Sequence, residues 1–83
     1  MEQVAQIWQR VEPLGSAFVA AYACPTGDLG AEYLGYFRIF PLRPGSYFDA
    51  GSIGEGMAAG RQVSPEQALA VAMEAARVSL DGG

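Results

Sequence analysis

Cys24 is the only cysteine of this 83-residue chain, and histidine and lysine are both absent. The residue types that most often carry acid–base or nucleophilic chemistry therefore reduce to carboxylates, tyrosines and one thiol. Cys24 precedes Pro25 at the end of an apolar run, with no histidine partner and no helix start to lower its pKa, so it reads as a structural thiol. Glu32, Asp49 and Glu55 lack the regular oxygen-ligand spacing of a calcium loop, and zinc-site spacings are missing, so no metal is expected. The run Gly54-Glu55-Gly56-Met57-Ala58-Ala59-Gly60 follows a candidate strand as phosphate-binding glycine loops do, but a dinucleotide loop opens directly into a helix, and here Arg61 to Ser64 intervene. It reads as a flexible connection in which glycine lets a partner backbone come close. No catalytic residue and no cofactor emerge, and the expectation is that the chain is not an enzyme.

What the residues do offer is a surface for binding. The chain is 51% hydrophobic and 17% charged, a balance that folds but leaves apolar area uncovered, and such area on a small protein tends to be an interface. The five basic residues are arginines at positions 10, 38, 43, 61 and 77, too dispersed for the basic patch that a phosphate backbone requires, and the net charge is −4. Direct nucleic-acid binding is disfavoured, and so is an acidic partner surface. Leu34, Tyr36, Arg38 and Phe40, with Tyr47 and Ile53 across a hairpin, are expected on an outer sheet face rich in the residue types found at interface centres. The alternative is that the hairpin twists and a loop or terminus covers that face.

The elements that would position these residues can be read from periodicity. Val4, Ile7, Trp8 and Val11 share a helical stripe, which predicts a helix over about residues 2–12 ended by Pro13 and Gly15. Ser16 to Cys24 reads as a strand with Phe18, Tyr22 and Cys24 on one side and Ala17, Val19, Ala21 and Ala23 on the other, followed by a turn at Pro25-Thr26-Gly27-Asp28. Glu32 to Phe40 is a strand with Tyr33, Phe37 and Ile39 inward. The prolines and glycine of 41–45 mark a hairpin loop, and Tyr47 to Ile53 returns as a third strand with Phe48 and Ala50 inward. Ser64-Pro65-Glu66-Gln67 is a capping box before an apolar stripe of Leu69, Ala72, Met73, Ala76 and Leu80, and Gly82-Gly83 closes that helix.

The expected architecture is a single α+β domain over residues 1–83, a two-layer sandwich in α-β-β-β-α order with two helices on one face of a three-stranded antiparallel sheet. That order resembles the double-stranded-RNA-binding domain, but the family's basic motif at the start of its last helix has no counterpart in Ser64-Pro65-Glu66-Gln67-Ala68. Ala21-Tyr22-Ala23-Cys24 loosely matches a lipoprotein cleavage box without a positive region before it, and is better read as strand. A lone thiol and the absence of a long apolar run suit a cytoplasmic protein that meets no membrane. The leading expectation is a small acidic protein-binding module, dimeric with itself or docked to another chain. The alternatives are a phage-encoded or immunity-type inhibitor that presents Asp28, Glu32, Asp49 and Glu55 to a nucleic-acid-binding groove, and an enzyme subunit completing a site in another chain.

Overall fold

Pairing with the neighbouring strand, not the periodicity of residues 8–14, decides the first element. The computed structural model describes residues 8–26 and 32–82, and its first element there is β1 (Trp8–Leu14), not a helix. Trp8 and Leu14 face the core, while Gln9, Val11 and Pro13 face the other side. Gly15-Ser16 forms a two-residue connection to β2 (Ala17–Thr26), with Gly15 at φ 63°, the positive value that the first position of a type II′ hairpin turn needs. Pro13 is tolerated because β1 is an edge strand. Antiparallel pairing continues through β3 (Glu32–Phe40) and β4 (Gly54–Met57), giving the strand order β1-β2-β3-β4, and the helix α1 (Pro65–Gly82) packs on one face.

The expected α-β-β-β-α sandwich is therefore corrected to a four-stranded antiparallel sheet with one helix among the described residues. Residues 2–7 of the expected first helix, and Gly27 and Asp28 of the expected turn, lie outside the described residues. The likeness in element order to the double-stranded-RNA-binding domain falls with the first helix. The expected strand at 47–53 is also absent: those residues form a loop, and the run read as a glycine-rich connection supplies β4.

The core is built from small side chains. Val19, Ala21 and Ala23 of β2 and Phe37 and Ile39 of β3 pack against Ala68, Leu69, Ala72 and Ala76 of α1, all buried. The alanine face lets the helix backbone approach the sheet at Gly35, where a Cβ would stand 2.2 Å from the Ala68 carbonyl oxygen. On the neighbouring strand, the Phe37 ring lies over Gly56, so close that a Cβ there would come within 2.6 Å of it. Ser64 caps α1 as expected: its Oγ accepts a hydrogen bond from the Gln67 amide at 3.1 Å, and Pro65 occupies the first helical position. No helix among the described residues is long and apolar enough to cross a membrane.

Candidate functional site

The sheet face opposite α1 carries Phe18, Ala20, Tyr22 and Cys24 from β2, Leu34, Tyr36, Arg38 and Phe40 from β3, and Glu55 and Met57 from β4. The loop 41–53 folds back across the part of this face that lies over β2. Two hydrogen bonds pin it there through one residue. The Tyr47 amide donates to Gln9 Oε1 of β1 at 2.8 Å, and Arg38 Nη1 donates to the Tyr47 carbonyl at 3.1 Å. With both backbone groups of Tyr47 taken by side chains, that residue has none left for a sheet ladder. Locally the loop is tightened by Asp49, whose carboxylate accepts from the Gly45 amide and the Ser46 hydroxyl, and by the Phe48 amide donating to Ser46 Oγ.

Under the loop the aromatic rings pack against one another. Tyr47 stacks on Tyr22 at 5.2 Å between centroids, and Phe48 meets both rings edge-on at 5.1 Å. The Arg43 guanidinium lies 5.0 Å from the Phe18 ring centre. This cover leaves Ala20 and Phe40 fully buried although both belong to the outer face. Burial pushes the Tyr22 hydroxyl above its ordinary pKa, helped by the Cys24 thiol beside it. Burial also raises that of Tyr47, partly opposed by Arg38.

Beyond the loop the face stays open. Tyr36, Arg38 and Tyr47, with Glu55, Gly56 and Met57, line a shallow groove of about 530 Å³. The Arg38 guanidinium carbon lies over the Tyr47 ring, 4.9 Å from its centre, while Nη1 donates to the Tyr47 carbonyl. Its Nε lies 3.4 Å from Glu55 Oε1 yet is not aligned to donate, so the pair is an ion pair without a hydrogen bond. Met57, 53% exposed, lies on the same side of β4 as Glu55; Ile53, the loop residue just before β4, is 68% exposed, and Phe48 projects from the loop at 53%. Among the described residues, four of the seven large hydrophobic residues that are exposed, Leu42, Phe48, Ile53 and Met57, fall within residues 42–57.

Of the six residues expected to form an interface, Tyr36, Arg38 and Tyr47 share this groove, and Ile53 is exposed beside it. Leu34 lies on the same face at the far end of β3, opposite Cys24. Phe40 is core beneath the loop. Met57 was missed as a site residue, and Glu55 was expected only as part of an acidic surface, because the interleaved Gly54 and Gly56 suggest a loop although Glu55 and Met57 alternate with them. A second, smaller cleft of about 230 Å³ lies between β1 and α1, but the Arg77 at its rim is already bonded to Glu74 and Asp81. Among the described residues no three acidic or cysteine side chains converge as a metal site would require. Comparison of the chain with protein-family models, with curated proteins and with solved structures finds no match.

Proposed function

We propose that this protein is a non-enzymatic protein-binding module that docks another protein chain on the open part of its outer sheet face. The observation that carries the reading is the exposure of Met57 on a sheet face beside Tyr36, Tyr47 and Arg38, with Ile53 exposed just before β4, where apolar side chains meet an anchored guanidinium. A nucleic-acid partner has little to hold: Arg10, Arg38, Arg61 and Arg77 each lie beside a carboxylate, and Arg43 rests on Phe18. The acidic-inhibitor reading draws less support, because Glu32 pairs with Arg61, Asp49 is spent within its loop and Glu55 faces Arg38, which leaves no continuous acidic track among the described residues. The lone thiol of Cys24 suits action in a reducing cytoplasm.

Tagged wild type, Met57→Asp and Val78→Asp, expressed in the native cell and compared by quantitative co-purification, test the reading. Val78 is as exposed as Met57, at 54%, but sits on α1. A stoichiometric companion retained by Val78→Asp and lost by Met57→Asp supports the reading; equal recovery with both variants contradicts it.

A further inference from the structure

We propose that the occupant of this surface is a second copy of the chain, docked face to face about a two-fold axis that runs along the seam between β3 and β4. The inference rests on the protein-binding reading above and names its partner. Across that seam Arg38 stands opposite Glu55, and Tyr36 opposite Met57. A two-fold parallel to the strands exchanges the two sides of the seam without moving anything along it, so β3 of one copy comes to lie over β4 of the other. Arg38 then faces Glu55 of the second copy, and its own Glu55 faces the second copy's Arg38. Tyr36 and Met57 are exchanged in the same way. Each cross-strand pair becomes a reciprocal contact between copies, which is the condition an isologous interface must meet.

Charge selects this partner over others. The patch holds one guanidinium and one carboxylate and is neutral, on a chain whose net charge is −4. A basic or an acidic partner would gain from one of these groups and be opposed by the other, whereas a second copy satisfies both. The carboxylate is free to change partner. Glu55 is 67% exposed and makes no hydrogen bond to Arg38, while the Arg38 side chain, anchored to the Tyr47 carbonyl through Nη1 and with its Nε buried, is still 30% exposed. The exposed Ile53 and Met57 supply the apolar area that such a pairing would bury.

Sedimentation equilibrium on the purified chain tests the proposal through charge reversal. Wild type should dimerise reversibly. Arg38→Glu and Glu55→Arg each set like charges opposite one another at both reciprocal positions, and each should weaken the dimer about 100-fold or more. An equimolar mixture of the two variants should associate again, because every reversed charge then meets its opposite in the other chain; an ion pair confined to one chain is not repaired by mixing. Circular dichroism checks folding, and Met57→Asp, which leaves the Arg38 bond to Tyr47 intact, should also abolish the dimer if Arg38→Glu unfolds. Wild type that stays monomeric at about 1 mM, the limit of meaningful affinity, overturns the second copy. So does a mixture of folded variants that fails to associate. A monomer whose companion in the cell still depends on Met57 leaves the protein-binding reading standing, while a dimer indifferent to Met57→Asp and to both reversals overturns the proposed surface as well.

Discussion

Replacing Gly35 by alanine probes the contact on which the two layers depend. The added Cβ would lie 2.2 Å from the Ala68 carbonyl oxygen, 3.1 Å from its carbon and 3.1 Å from Ala72 Cβ. Ordinary carbon–oxygen contacts stand at about 3.3–3.6 Å, so α1 must retreat from β3 by about 1 Å. The obstructing atoms belong to helix backbone, so no rotamer change relieves them, and the retreat loosens Leu69, Ala72 and Ala76 together. Overpacking of a core costs about 1–3 kcal/mol, and the loss here should reach about 3 kcal/mol. A domain of this size has roughly 4–12 kcal/mol of stability to lose, at about 0.05–0.15 kcal/mol per residue. Urea denaturation followed by circular dichroism should show the midpoint falling at constant slope. Gly15→Ala is the reference, since Gly15 has φ 63° and nothing within 4 Å, leaving only the backbone penalty of about 1 kcal/mol. A Gly35→Ala variant as stable as Gly15→Ala would refute the close approach.

Ser64→Ala should lower stability by about 1 kcal/mol through loss of the hydrogen bond to the Gln67 amide, and an unchanged urea midpoint would count against the cap. Phe40→Ala should cost roughly 3–5 kcal/mol as a core truncation, whereas Tyr36→Ala should weaken association while the circular dichroism spectrum survives. Burial raises the hydroxyls of Tyr22 and Tyr47, so the folded chain holds protons that the unfolded chain releases at about pH 10. Their contribution to stability should be complete below that pH and fade as the pH climbs through the folded-state values. Urea midpoints measured from pH 8 to 11 should therefore fall, less steeply in Tyr22→Phe; a midpoint that rises above pH 10 would contradict the assignment.

Elements specified by neighbouring residues were legible in the sequence. The strand Glu32–Phe40, its inward Phe37 and Ile39, and the Ser64 cap all rest on alternation or on a contact three residues away. The elements misread are those decided by distant partners. Val4, Ile7, Trp8 and Val11 suit a helix, yet from Trp8 onward pairing with β2 wins, and the Gly-Ser pair at 15–16 was a hairpin signal. Tyr47 to Ile53 has strand-like composition, but Gln9, 38 positions away from Tyr47, and Arg38 take both of Tyr47's backbone groups. That same loop explains why Phe40 became core while Tyr36 and Arg38 stayed at the groove: the covering of the outer face is partial, and where it stops depends on side chains brought together by the sheet.

The central claim is that the open part of the outer face, and not the exposed side of α1, meets another protein. A photoreactive phenylalanine analogue placed at position 57 or at position 78, sites exposed to 53% and 54%, tests it in the native cell. Irradiation should produce a discrete adduct from position 57, of twice the chain mass if the partner is a second copy, and none from position 78. No adduct from position 57, or the same adducts from both positions, would contradict the account.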